Sequence, residues 1–472
     1  MNFVFFSNGI MLIGMAMIMA VDGVLFPSTR MAFLISFLIV GLVGALISLA
    51  VSHRLSDFGR LHTFLLTGSI WLTGAAAGAL PLWLWQLSPT DAFFEAMSGI
   101  TTTGSTVMSG LDDTAPGILL WRAILQWLGG IGFIVTGIAF LPILRVGGMQ
   151  LFRTESSESG EKEMASAARF AGATVWIYMS LTVLCIAVYA AGGMSFFESV
   201  AHALTTVSTG GYSTSDGSFG HFDSAFLQWS GIFFMIAGAL PFAWYIRGIN
   251  RRVFRSEQVL GILQFFAVTI AILTIWRVVS AGTPILETLR FVAFNVVSVV
   301  TTTGYATTDY TLWGPFAVAA FFSLTAVGGC TGSTSGGAKV MRWIILIRML
   351  RVQLKTIRSP SAVIKARYER RPVEPDVING VVTFFFCYAA TVGILAAALG
   401  LYGLDMETSI SGALTAVANV GPGIGDTIGP AGNFSSLPDG AKLLLCFGMY
   451  VGRLEMLTVY VLLTATFWRE II

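Results

Sequence analysis

The chain has 472 residues, of which 55% are hydrophobic and only 11% charged, with a formal net charge of +2 and a mean hydropathy of +0.79. That composition excludes a soluble globular domain and places the sequence among polytopic membrane proteins. So small a charge leaves no electrostatic footprint for nucleic acid, and the four His and four Cys are scattered without metal-ligand or disulfide spacing.

Apolar runs near the ~20 residues that cross a bilayer lie at about 3–20, 31–51, 63–86, 118–143, 170–192, 226–246, 260–280, 312–350, 379–401 and 442–467. They predict ten spans. The first carries no Lys or Arg before Arg30 and no clear cleavage site, so it reads as a retained span rather than a signal peptide. The loops near 52–62, 145–169, 246–256 and 339–371, with Arg469, hold 21 of the 27 basic residues. The positive-inside bias makes these loops and both termini cytoplasmic. The alternate connections, 88–116, 193–224, 281–311 and 402–440, are acidic and face out. Their acids, Glu95 and Glu198 among them, either concentrate cations at a pore mouth or are ordinary solvated loop acids.

Each outer connection contains a short amphipathic stretch followed by a small-residue motif: Thr101-Thr102-Thr103-Gly104, Val207-Ser208-Thr209-Gly210, Thr301-Thr302-Thr303-Gly304 and Ala418-Asn419-Val420-Gly421. Start signals precede them, with Ser88 before Asp91, Ser195 before Glu198, and Asp405. The third stretch starts at Thr283-Pro284 with about five extra residues, or later at Thr288. Such stretches are too short to span and return as helix, so they predict re-entrant loops, which membranes tolerate only where the backbone lines water or is buried in protein. Four in the same frame predict four loops around one axis, with glycine letting carbonyls turn toward a dehydrating cation. His202, inside the second stretch, reads as packed.

Two further features lie on the inner side. Val327–Lys339 puts Gly328, Gly329, Gly332, Gly336 and Gly337 inside the eighth run. It is either a cytoplasmic turn or a break within the membrane, and the 16 residues from Leu312 to Val327, about 24 Å of helix, are short for a full span. Arg453 sits near the middle of the last run, where a cation faces either an acid of another span or a water-filled path. The basic segment from Lys339 to Arg371 anchors on anionic lipid or docks a partner.

The pieces Val207-Ser-Thr-Gly-Gly-Tyr-Ser-Thr214, Asn419-Val-Gly-Pro-Gly-Ile-Gly425, Asn433-Phe434 with Leu437-Pro438, and Gly452-Arg-Leu-Glu455 closely resemble the Trk/Ktr/HKT superfamily of potassium transporters, most nearly the membrane subunit of bacterial Trk systems. The resemblance implies an all-α polytopic membrane protein of four linked helix–pore loop–helix units around one central pore, plus two extra N-terminal transmembrane helices. Residues 1–52 would be that N-terminal pair, and 53–146, 147–250, 251–371 and 372–472 the four pore units. It implies potassium uptake across a bacterial inner membrane. Potassium would be the transported ion, held by Thr102, Thr103, Gly104, Thr209, Gly210, Thr302, Thr303, Gly304, Asn419, Val420 and Gly421. Family members that favour sodium commonly have Ser at the first glycine, so Gly104 points to potassium. The glycine-rich break would be a gate under the filter, with Arg453 beside it. A homodimer, and a ring-forming, nucleotide-binding cytosolic subunit (TrkA-like), would be its partners, with no organic cofactor in this chain.

The alternatives lack their chemistry. Gly332-Ser-Thr-Ser-Gly336 has Thr334, not Ser, where a hydrolase elbow needs its nucleophile, and Gly421-Pro-Gly-Ile-Gly425 lacks the strand and helix of a dinucleotide fingerprint. No enzyme is expected. A proton- or sodium-coupled carrier stays open, although no buried carboxylate pair is evident for it.

Overall fold

The computed structural model describes residues 1–52, 59–139, 162–361 and 364–471. Much of the basic loop expected at 145–169, and the boundaries drawn at 53 and at 146 to 147, fall outside the described residues.

Helices dominate because the long runs have no backbone partner in lipid other than their own carbonyls. Helices α1 (Asn2–Leu25) and α2 (Arg30–Val51) form an antiparallel pair that packs on α3 (Arg60–Trp85). From α3 onward a frame repeats. The first unit runs α3, pore helix α4 (Pro89–Ile100) and α5 (Pro116–Ala139). The second runs α6 (Lys162–Ala191), pore helix α7 (Phe196–Val207) and the broken pair α8 (Ala225–Ala239) and α9 (Phe242–Arg251). The third has α10 (Glu257–Ala281), pore helix α11 (Ile285–Val300), α12 (Pro315–Thr325) and α13 (Val340–Arg358). The fourth has α14 (Pro375–Gly400), pore helix α15 (Met406–Ala418), α16 (Asp439–Arg453), α17 (Met456–Leu462) and α18 (Ala465–Ile471). A hairpin of two-residue strands, β1 (Arg367–Tyr368) with β2 (Arg371–Pro372), pairs Arg367 with Pro372 and is the one sheet among the described residues. One hydrophobic cluster joins the N-terminal pair to the first and fourth units, and a second joins the second and third.

Six described helices are long and apolar enough to cross a bilayer, and two bent pairs could each supply one more span. Those pairs correct the expectation of continuous helices over 226–246 and 442–467. The first bends by 88° because Pro241 has no N–H to give and forces Leu240 into an extended conformation, φ −81° and ψ 154°. The second bends by 112° at Glu455, a non-glycine residue at φ 65°, whose carboxylate is drawn onto Arg342 of α13 at 2.6 Å.

The pore helices start where their caps place them. Ser88 Oγ accepts from Asp91 N at 3.1 Å. Ser195 and Glu198 form a reciprocal capping box. Asp405 accepts from Thr408 N at 2.8 Å. These helices span 12, 12 and 13 residues, about 18 Å, half the hydrocarbon thickness. The third spans 16 residues from Ile285, so its extra length is added at the outer end and the later start at Thr288 is not taken.

A four-loop ring above an intramembrane loop

Each pore helix ends in the same backbone turn. The N–H groups of Thr103, Gly210, Thr303 and Val420 donate to the carbonyls of Ser98, Thr205, Ser298 and Thr415. One residue earlier, Thr102, Thr209, Thr302 and Asn419 take left-handed φ of 53°, 51°, 58° and 56°. One residue later, Gly104, Gly211, Gly304 and Gly421 take φ of 87°, 80°, 82° and 111°. The second loop is therefore registered one residue later than its Ser-Thr-Gly pattern suggests. Gly211, not Gly210, is the counterpart of the other three glycines, and Gly210 takes the place of Thr103.

The loops close a ring. A Cβ on Gly104 would stand 2.2 Å from Gly210 O, on Gly211 1.8 Å from Thr303 O, on Gly304 2.1 Å from Val420 O, and on Gly421 2.8 Å from Thr103 O. Real Cβ atoms do not approach backbone that closely, so each glycine lets its loop lie against a carbonyl of the next. The residue after each of the first three glycines ties the ring from outside: Tyr212 Oη donates to Glu95 O at 2.8 Å, Ser105 Oγ to Gly421 O at 2.8 Å, and Tyr305 Oη shares a 2.5 Å hydrogen bond with Thr205 Oγ1. Behind the first and third loops, Thr101 bonds Thr103 and Thr301 bonds Thr303, hydroxyl to hydroxyl at 2.8 Å. Gln126 of α5 clamps the second, giving Nε2 to Gly210 O at 2.6 Å and taking Tyr212 N at 3.0 Å. Outside the ring is a cavity of about 310 Å³ that all four glycines line.

The glycine-rich segment after α12 packs directly on this ring and is not a free turn between two helices. Gly336 N donates to Thr302 Oγ1 at 2.7 Å, Thr209 Oγ1 to Thr334 Oγ1 at 3.1 Å, and a Cβ on Gly336 would meet Ala418 O at 2.5 Å. The loop is held from the side by Cys330 N to Ala239 O at 3.0 Å and Phe242 N to Gly332 O at 2.9 Å. Gly328, Gly332 and Gly337 have φ of 79°, 76° and 74°, and Gly329 packs on Ser335.

Arg453 is 1% exposed. Its Nη1 donates to Thr334 O in the middle of that loop at 2.9 Å and its Nη2 to Gly129 O of α5 at 3.3 Å. Its neighbour Glu455 pairs with Arg342 instead, and Lys339, also buried, donates from Nζ to Ser335 O.

Sequence reasoning missed one charged group behind the ring. Glu95, counted among the outer acids, is fully buried and bonds Arg122 at 2.7 Å. The signal was an Arg in the fourth apolar run. Asp91 likewise pairs with Lys442 at 2.6 Å, and Asp216 accepts from Gly110 N and Leu111 N at 2.8 and 3.2 Å. Asp112 stays at the mouth, where bonds from the Ser215 hydroxyl and the Asp216 N–H hold its carboxyl below the usual range and keep it charged.

Re-entrant loops meeting in a ring within a polytopic helical bundle are the architecture of a membrane transport protein. The TrkH family profile, described as cation transport protein, matches residues 29–279 and 259–469. The Trk system potassium uptake protein TrkI of Halomonas elongata is 51% identical over 93% of this chain and 90% of its own length. The Trk system potassium uptake protein TrkH of Escherichia coli is 34% identical over 99% and 97%. The crystal structure of the potassium transporter TrkH from Vibrio parahaemolyticus superposes with a TM-score of 0.90 at 28% identity, covering 99% of both chains. The chain belongs to the TrkH family of cation transport proteins, and is a multi-pass bacterial membrane protein.

Proposed function

We propose that this chain carries potassium into the cell across the bacterial inner membrane through the four-loop ring. The observation that carries the reading is the closed circuit of glycine against carbonyl from loop to loop. Such a ring offers backbone oxygens and no fixed anion, so a dehydrated cation is bound without being trapped. The four pore helices point their C-terminal ends toward it, adding partial negative charge. The filter residues are Thr102–Gly104, Thr209–Gly211, Thr302–Gly304 and Asn419–Gly421. Residues 53–146, 147–250, 251–371 and 372–472 are the four pore units.

The loop from Val327 to Lys339 acts as the gate, with Arg453 as its latch. Opening requires that Thr334 and Gly336 leave the threonines of the ring. Its control comes from a cytosolic nucleotide-binding subunit of the TrkA kind, and the membrane subunits pair as a homodimer. Two facts support a cytoplasmic docking face: the relatives are named as parts of a Trk system, and the inner end of α13 exposes Ile347, Leu350, Leu354 and Ile357 beside Arg351 and Lys355. Complementation of potassium-uptake-deficient cells at low potassium tests the transport reading. Growth rescue is expected, and its absence in well-expressed membranes contradicts it.

With the acidic loops outside, a cysteine at the exposed Ser109 reacts with an impermeant thiol reagent added to intact cells, and one at the exposed Ser359 does not. Reversed labelling overturns the orientation.

One observation favours the coupled-carrier reading. Asp22 of α1 is 2% exposed, and neither carboxylate oxygen has a hydrogen-bond partner, so it is a buried acid of the kind that coupling needs. It lies against Gly117, at the start of α5. Under the channel reading, Asp22→Asn leaves the pH dependence of potassium flux unchanged. A flux that loses its pH dependence in this variant favours the carrier.

A further inference from the structure

The ring glycines share more than their own turn. Nine residues before Gly104, Gly211, Gly304 and Gly421 stand Glu95, His202, Asn295 and Gly412. In the first three units that side chain reaches out of the pore helix to the strand leaving the filter. Glu95 Oε2 accepts from Val107 N at 3.0 Å, and its two oxygens accept from Thr106 Oγ1 at 2.9 and 3.1 Å. His202 Nε2 shares a 3.1 Å hydrogen bond with Ser213 Oγ. Asn295 Nδ2 donates to Thr307 Oγ1 at 3.0 Å and its Oδ1 accepts from Thr307 N at 3.3 Å. In the fourth unit the position is glycine, and the adjacent Ser411 Oγ accepts from Ile424 N at 3.0 Å in its stead. One position of the repeat thus braces the exit strand with a carboxylate, an imidazole, an amide or, displaced by one residue, a hydroxyl.

The braces are unequal. Only the first is ionic, and its charged partner bonds a second loop. Arg122 Nε bonds Glu95 at 2.7 Å, Nη2 donates to Thr106 Oγ1 at 3.1 Å and Nη1 to Ser213 O of the second loop at 3.2 Å. Its guanidinium lies 4.1 Å from the centre of the Tyr212 ring, while Thr106 O takes Phe434 N of the fourth unit at 2.8 Å. Charge-assisted hydrogen bonds are roughly twice as strong as neutral ones. A buried pair adds little net stability but holds one geometry tightly, since leaving either charge alone is costly. Discrimination between two monovalent cations depends on how firmly the ring keeps its size and ligand number.

We propose that the side chain nine residues before each of the first three filter glycines is a positioning residue for the filter, and that the Glu95–Arg122 pair contributes most to potassium discrimination. The proposal rests on the four-loop ring being the filter. The pair contacts no ion itself. It fixes the exit strands of loops one and two relative to each other.

The test measures the potassium-to-sodium permeability ratio of the purified chain in proteoliposomes, with detergent-extracted yield alongside. Glu95→Gln keeps shape and an acceptor but leaves Arg122 uncompensated. Glu95→Gln with Arg122→Gln removes both charges and restores yield toward the parent. Both are expected to lower the ratio about tenfold, the scale of one lost charge-assisted bond. Asn295→Ala lowers it less. A brace that served folding alone would change yield, or both fluxes together, and leave the ratio where it was. Gly104→Ala, measured in parallel, separates two failures. If it alters the ratio and the well-extracted double variant does not, the brace is overturned and the filter stands. If neither does, the filter reading fails and the brace falls with it.

Discussion

Gly211→Ala is expected to abolish selective potassium uptake, whereas Gly210→Ala retains part of it. The added Cβ at 211 would lie 1.8 Å from Thr303 O, a backbone atom of the next loop, on a residue already at φ 80°. The left-handed conformation costs a side-chain-bearing residue about 1–2 kcal/mol, and the overlap is relieved only by moving the third loop's carbonyl. At 210 the added atom meets the far end of Gln126 at 2.4 Å, a side chain that can move, although its bonds to Gly210 O and Tyr212 N then weaken. Tracer uptake of potassium and sodium in matched membranes reads the contrast. Equal loss at both positions, or greater loss at 210, contradicts the register assigned to the second loop.

Arg453→Gln should raise basal potassium flux through the isolated membrane subunit without changing which ion passes. The guanidinium bonds Thr334 O in the gate loop at 2.9 Å and Gly129 O of α5 at 3.3 Å. It thereby fixes the loop against the first unit while Gly336 and Thr334 hold the ring from below. Losing one charge-assisted bond of about 1.5–3 kcal/mol shifts the open population by roughly a factor of ten or more. A shortened loop lacking part of Gly328–Gly337 should behave alike. The permeability ratio is set by the ring and is expected to hold in Arg453→Gln. Well-extracted variants whose flux is unchanged or lower reduce Arg453 to a tie between helices.

Much of this architecture was legible in the chain because the bilayer imposes strong rules on it. Span length and the four repeated small-residue motifs predicted the recurring helix–short helix–helix frame. The caps at Ser88, Ser195 and Asp405 gave three pore-helix starts to the residue, since each is a local signal read within one turn. The register of the second loop was misread by one because Thr209-Gly210-Gly211 offers two glycines, and only the neighbouring loop's carbonyl decides between them. The breaks at Leu240 and Glu455 lay hidden in continuous apolar runs. Pro241 was a local warning of the first, while the second depends on Arg342, 113 residues away. Glu95 read as an outer-loop acid, at a pore mouth or simply solvated, for the same reason: its partner Arg122 lies beyond the filter loop, and burial of that pair is a tertiary fact.

The most direct test of the central claim is ion selectivity of the purified chain reconstituted alone in liposomes, with equal potassium and sodium gradients imposed in turn. If four loops close a carbonyl ring, downhill flux favours potassium over sodium, and Gly104→Ser, whose added atoms would press on Gly210 O at 2.2 Å, narrows that preference while the protein still inserts. Equal permeation of both ions by the parent, or a preference untouched by Gly104→Ser, contradicts it.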